Sequence, residues 1–207
     1  MFFTPKMFMQ EAISFLIERE TVFKTIQQQY GNPFIPSRPR GFVTLCKLIL
    51  EQQVSIGSAK ACFLKIEIFL GILSPETISQ CSDADLKSCG VSRQKIVYLN
   101  ALATAILEGL DLEGLSTKPV DEVRNELIKI KGIGHWTVDM YLMFSLQAPD
   151  IIPLGDIAVV NTIKELFGCQ TKEEMEILSQ NWKPCRTMAT LMLWHYYLEK
   201  RNRKPFV

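Results

Sequence analysis

Leu127-Ile128-Lys129-Ile130-Lys131-Gly132-Ile133-Gly134-His135-Trp136-Thr137 lies between two stretches of helical periodicity. Two glycines one residue apart allow backbone angles closed to other residues, so the chain is expected to reverse tightly and bring bare amides close to a ligand. A second helix is expected at once, with Val138 to Phe144 as its body. Its unsatisfied N–H groups and the positive end of its dipole would then point out of the turn, forming a phosphate site that needs no side-chain charge. An isolated Gly-x-Gly also fits an ordinary connection between two helices, so the surrounding sequence has to separate the two readings.

Downstream come Pro153-Leu154-Gly155-Asp156 and the apolar run Ile157 to Phe167, closed by Gly168. Asp156 is a favoured N-cap and Gly168 a favoured C-cap glycine, so a helix is expected between them, with a lone carboxylate at its start. Upstream, Ile13, Leu16, Ile17, Phe23 and Ile26 fall near helical spacing and predict one long helix from about Lys6 to Tyr30, stopped by Gly31-Asn32-Pro33. Pro33, Pro36 and Pro39 then make an extended connector, because proline removes a donor and biases the preceding residue out of the helical region. Apolar helices follow around Phe42 to Ile49 and Ala59 to Phe69. Ser74-Pro75 and Ser82-x-x-Asp85 start short helices, the second ended by Gly90. Ser92 opens a helix to about Glu108, and Pro119 opens one reaching Ile130. Thr171-x-x-Glu174 is a capping box, and Pro184 is expected to start an apolar last helix that runs into the basic tail Lys200 to Lys204. Nothing of useful length alternates with period two. The chain reads as all-α: two helical lobes, residues 36–148 forming one and residues 1–35 with 149–207 the other.

The 207 residues are 47% hydrophobic and 22% charged with a net charge of +1, an ordinary globular composition that excludes disordered, collagen-like and low-complexity classes. No stretch approaches the roughly 18 uninterrupted apolar residues a membrane span needs, and charges at Lys6, Glu11, Glu18 and Arg19 break up any secretory signal. A cytoplasmic monomer is expected, nucleoid-associated in a bacterium or nuclear in a eukaryote. The six cysteines form no C-x-x-C pair and do not cluster with the two histidines, so reduced, packed thiols are expected. The near-zero net charge gives no global field, so any nucleic-acid binding must rest on local phosphate contacts.

Five motifs, in order, give the chain a resemblance to the helix-hairpin-helix superfamily of DNA base-excision glycosylases, closest to the 3-methyladenine DNA glycosylase II branch. They are Glu51-Gln52-Gln53-Val54-Ser55 with Ala59, Gly90-Val91-Ser92-x-x-Lys95, Ile130 to Thr137, Pro153 to Asp156, and Trp182-Lys183-Pro184-x-Arg186 through Trp194. The resemblance covers about residues 40 to 200 and implies an active-site cleft between the lobes. It also implies the helical core alone, without the N-terminal β-rich domain of larger members.

The resemblance makes Asp156 the catalytic carboxylate, stabilising the oxocarbenium charge that develops as a sugar–base bond breaks and orienting the attacking water. Bifunctional relatives carry a lysine two residues after the second hairpin glycine; here that position is Trp136, which forms no Schiff base, so a monofunctional enzyme leaving an abasic site is implied. Trp136 and Trp194 match positions lining the base pocket, where indole faces suit cationic damaged purines, although core packing is the alternative for either. Met140 occupies a further pocket position that is aromatic in relatives.

Gln53 matches the wedge that fills the gap left by a flipped base, with Gln52 beside it, and a capped turn would also suit this pair. Gly132, Gly134, His135, Lys131, Thr137, Lys129 and Arg93 are candidate DNA contacts. The main-chain carbonyls of Ile128, Ile130 and Ile133 match those holding a structural monovalent cation, Na⁺ or K⁺. No other cofactor is implied. Only Cys169 and Cys185 lie where some relatives place four iron–sulfur ligands. The implied function is hydrolytic excision of alkylated purines, 3-methyladenine foremost, from damaged double-stranded DNA. The rivals are a glycosylase for ethenoadenine, hypoxanthine or a mismatched base, a non-catalytic DNA-binding module, and a helical interaction scaffold without DNA binding.

Overall fold

The computed structural model describes residues 5–203, with side chains from Met9 onward. The described residues form twelve α-helices and one short 3₁₀ turn, without strands. None of the helices is long and apolar enough to cross a membrane. The chain separates into two compact units, one spanning Arg38–Leu146 and the other made of the residues up to Ser37 together with those from Gln147 onward.

The Arg38–Leu146 unit contains α3 (Phe42–Glu51), α4 (Ile56–Leu70), α5 (Pro75–Gln80), α6 (Asp83–Ser88), α7 (Arg93–Leu107), α8 (Val120–Leu127) and α9 (His135–Phe144). Its core is built from Leu45, Leu48 and Ile49 of α3, Leu99 and Leu102 of α7, and Val138 and Leu142 of α9, all at most 1% exposed. Helix starts follow the short-range chemistry expected of them: Ser55, Ser74, Ser82 and Ser92 each accept a hydrogen bond from the amide three residues on. A 3₁₀ turn, Gly114–Thr117, lies between α7 and α8 and carries no strong sequence signal.

Helices α8 and α9 are clamped by one ion pair, Arg124 Nη2 to Asp139 Oδ1 at 2.5 Å, with the Asp139 side chain only 8% exposed. Burial pushes the Asp139 carboxyl above its ordinary value of 3.8, and Arg124 pulls it back. An aspartate raised in the folded state contributes stability that is present below its unfolded pKa and lost as pH rises through the folded one. Arg124→Met removes the larger opposing pull and leaves the buried carboxylate without its ion pair. It is expected to cost about 3 kcal/mol at neutral pH, with the deficit shrinking near pH 4; urea unfolding at the two pH values checks this.

The second unit contains α1 (Pro5–Arg19), α2 (Thr21–Tyr30), α10 (Ile157–Phe167), α11 (Lys172–Gln180) and α12 (Arg186–Glu199). Helices α1, α2 and α10 each pack on α12. The single helix expected over Lys6 to Tyr30 is two helices. Glu20 turns extended (φ −134°, ψ 115°), its amide still bonded to Leu16 O and its carbonyl already accepting from Phe23 N. Neither glycine nor proline marks this break, and the apolar spacing runs straight through it. On either side the buried Ile13 and Leu16, and Phe23 and Ile26, reach the same core, where Phe23, Phe167 and the fully buried Trp182 pack ring against ring.

Two helix ends also differ from the sequence reading. The helix opened by Pro119 stops at Leu127, three residues before Ile130, as the chain folds back to bury Ile130 and Ile133. Helix α12 starts at Arg186, two residues after Pro184. Four of the six cysteines have thiols pushed up chiefly by burial: Cys46, Cys62, Cys81 and Cys185.

Candidate active site and DNA-binding hairpin

The connection between α8 and α9 is a tight reversal, with Ile130 N bonded to Leu127 O (3.1 Å) and Ile133 N to Ile130 O (3.0 Å). Its two glycines serve different purposes. Gly132 has φ +93° and rests on the Tyr98 ring, so closely that a β-carbon would overlap it. Gly134, the N-cap of α9, has φ −97° and ψ 177°, extended backbone open to any residue, and a β-carbon there would meet nothing within 4 Å. The expectation that both glycines need special backbone angles is therefore corrected: only Gly132 does, while Gly134 leaves the approach to the first-turn amides of α9 bare. Those amides, beginning at Gly134 and His135, have no acceptor one turn back within the helix. Lys129, Lys131 and His135 are exposed around the turn.

Thr137 is a different case, being 1% exposed. Its hydroxyl accepts from Gln52 Nε2 at 2.9 Å, and the same amide nitrogen donates to Gly132 O, also at 2.9 Å. The side chains of Gln52 and Thr137 are thus spent inside the unit. Gln53, next in sequence, is exposed and takes the left-handed conformation (φ +55°) that non-glycine residues rarely adopt. The residue preceding this turn by three, Leu50, has its carbonyl held by Lys95 Nζ at 2.6 Å, which explains the lysine of the Gly90-to-Lys95 motif. Burial pushes the Lys95 ammonium below the ordinary lysine value. A cavity of about 320 Å³ opens beside Gln53, lined also by Ser58, Cys62, Ser92, Gln94 and Tyr98. Arg93 is exposed on the first turn of α7. On α9, Trp136 is half-buried, and Met140 is 2% exposed.

In the other unit, Asp156 caps α10. Its Oδ1 accepts from Ala158 N, Val159 N and Trp194 Nε1, each at 3.0 Å. Three donors on one oxygen fix the plane of the carboxyl group, and the positive end of the α10 dipole faces it. Trp194 is 6% exposed and buried against α12's neighbours, so it packs in the core and orients Asp156 at once. It also borders a cavity of about 30 Å³ with Phe34, Pro36 and Leu191, room for little more than one water.

The segment leading to Asp156 is stitched to the start of α12. Arg186 Nε and Nη2 donate to the two carboxylate oxygens of Asp150 at 2.7 and 2.9 Å, and Arg186 N also reaches Asp150 Oδ1 at 3.3 Å. Thr187 Oγ1 donates to Ala148 O at 2.6 Å and accepts from Ile151 N at 3.0 Å. Sequence reasoning placed Arg186 within a motif but gave no sign of its partner, because the pair is 36 residues apart.

Among the described residues no three His, Cys, Asp or Glu side chains are grouped to hold a metal ion. The main-chain carbonyls of Ile128, Ile130 and Ile133 lie on the turn that follows α8, Ile128 as its C-cap, and the Ile130 carbonyl already accepts from Ile133 N at 3.0 Å.

The profile of HhH-GPD superfamily base excision DNA repair proteins matches residues 46–187, and the chain belongs to that family. Among relatives, the Bacillus subtilis protein YfjP, by name a candidate DNA-3-methyladenine glycosylase, is 37% identical over 124 residues; the match covers 58% of this chain and 43% of YfjP. The crystal structure of a DNA-3-methyladenine glycosidase from Bacillus halodurans superposes with a TM-score of 0.81 at 29% identity, covering 92% of this chain and 91% of that one. The Schizosaccharomyces pombe 3-methyladenine DNA glycosylase Mag1, solved with abasic DNA, gives a TM-score of 0.77 at 28% identity over 89% and 95% of the two chains. The matched chain spans less than half the length of YfjP.

Proposed function

We propose that this chain is a monofunctional DNA glycosylase that excises alkylated purines, 3-methyladenine foremost, from double-stranded DNA by hydrolysis and leaves an abasic site. The observation that carries the reading is the fixed carboxylate of Asp156, locked by two helix amides and an indole N–H, in a chain of the base excision repair family. The hairpin supplies backbone amides for a phosphate, Gln53 fills the gap left by the extruded nucleotide, and the Trp136 indole stacks on the damaged base.

Cleavage of the sugar–base bond leaves positive charge on the sugar, and the Asp156 carboxylate stabilises it and orients the incoming water. A carboxylate held in one plane does this without reorganising as charge develops. An alkylated purine is already cationic and departs without protonation, so no general acid is required. The carbonyls of Ile128, Ile130 and Ile133 would hold Na⁺ or K⁺, adding positive charge beside the phosphate, and no iron–sulfur cluster takes part.

The reading is tested by incubating the protein with methylated duplex DNA and resolving the released bases chromatographically. Release of 3-methyladenine supports it. Release of a different lesion base alone supports a rival specificity, and duplex binding without any release supports a non-catalytic module. Because Trp136 stands where a lyase would carry lysine, borohydride treatment with abasic DNA is expected to trap no covalent adduct. Efficient trapping would overturn the monofunctional assignment.

A further inference from the structure

Gln52 and Gln53 are adjacent but turn in different directions. Gln52, the C-cap of α3, is half-buried and reaches across 80 residues of sequence to Gly132 O and across 85 to Thr137 Oγ1. One of these acceptors is the carbonyl of the glycine that makes the hairpin's sharp reversal; the other lies on the first turn of α9, beside the amides offered to phosphate. The last turn of α3 is held from another side by Lys95 on Leu50 O. Gly132 is itself seated on the ring of Tyr98, whose hydroxyl is bonded to Gln94. The exposed Gln53 follows directly, in a backbone conformation that costs a non-glycine residue energy and persists only where its surroundings hold it.

We propose that Gln52 is a positioning residue that couples the phosphate-binding hairpin to the Gln53 turn, so that the projection of Gln53 into the duplex is set by the hairpin itself. The inference rests on the glycosylase reading above, and it moves Gln52 from direct DNA contact to this internal role. The two acceptors can be satisfied together only when the α3 terminus and the hairpin lie in register. A single amide group therefore fixes the distance between the element that grips the backbone and the element that enters the helix. The carboxamide suits this use because its nitrogen carries two protons and can donate to both acceptors at once.

The test compares wild type with Gln52→Met, which keeps the length of the side chain and loses both donors, and with Gln53→Ala. The probe is a duplex with 2-aminopurine beside a tetrahydrofuran abasic analogue, whose fluorescence rises when an inserted side chain unstacks the neighbouring base. Affinity for undamaged duplex, its salt dependence and thermal unfolding are measured in parallel. Gln52→Met is expected to bind undamaged duplex within about twofold of wild type with an unchanged salt slope, while the fluorescence rise on the analogue and the rate of 3-methyladenine release each fall about tenfold, the size expected for two lost hydrogen bonds. Gln53→Ala should lose the fluorescence rise likewise. Wild-type fluorescence and release in Gln52→Met overturn the inference. So does an equal loss of undamaged-duplex affinity and fluorescence, which marks Gln52 as a support of the hairpin alone. Absence of both signals in the wild type overturns the glycosylase reading and this inference together.

Discussion

Asp156→Asn is expected to give a folded protein that binds duplex DNA like the wild type and releases 3-methyladenine more slowly by a factor of about 100 to 1,000, the range seen when one preorganised electrostatic group is removed. Asparagine keeps an oxygen at the Oδ1 position, so Ala158 N, Val159 N and Trp194 Nε1 retain their acceptor. Asparagine is also as good an N-cap as aspartate, and the unfolding free energy should stay within about 0.5 kcal/mol. What is lost is the negative charge that the proposed mechanism sets against the developing oxocarbenium ion. Alanine makes a poorer probe: it removes the cap at a cost of about 1 kcal/mol and takes away the Oδ1 that accepts from the indole N–H of Trp194. Single-turnover release from methylated DNA, with urea unfolding as the control, separates charge from fold. Unchanged release by Asp156→Asn would remove the carboxylate from the chemistry.

Gly132→Ala should have the largest effect on the fold of the hairpin. Alanine at φ +93° is strained by about 1–3 kcal/mol wherever it occurs, and here the added methyl also overlaps Cγ, Cδ1 and Cβ of Tyr98. Those are the root atoms of the ring and not a flexible tip, so the ring or the turn has to move. The expected outcome is a loss of about 3 kcal/mol or more, together with at least tenfold weaker DNA binding and a shallower salt dependence as phosphate contacts disappear. Gly134→Ala provides the contrast. Its backbone is ordinary and its surroundings open, so stability should be unchanged within about 0.5 kcal/mol, and any loss of DNA affinity would reflect a methyl group standing before the amides. Equal stability of the two variants would show that the Gly132 turn carries no strain.

What was legible in the sequence was the short-range part. Serines at positions 74, 82 and 92, Thr171, Asp156 and Gly168 act within three or four residues of themselves, and each caps the helix end that its residue type predicts. The break at Glu20 escaped because it uses no breaker residue, and the 3₁₀ turn at Gly114 because it is a single turn. The candidate site was legible as a set of residues and not as a network. Nothing local says that Trp194 will hold Asp156 from 38 positions away, that Asp150 will receive Arg186, or that Gln52 will turn inward while Gln53 turns out. Those pairings depend on how helices pack, which periodicity constrains only to a face.

Thiols with raised pKa bear on the chemistry that a protein of this family meets. Electrophilic methylating agents attack sulfur as thiolate, and a thiol whose pKa is raised by burial supplies little of it. Cys46, Cys62, Cys81 and Cys185 therefore present less thiolate to the reagents that damage DNA than a fully exposed cysteine would.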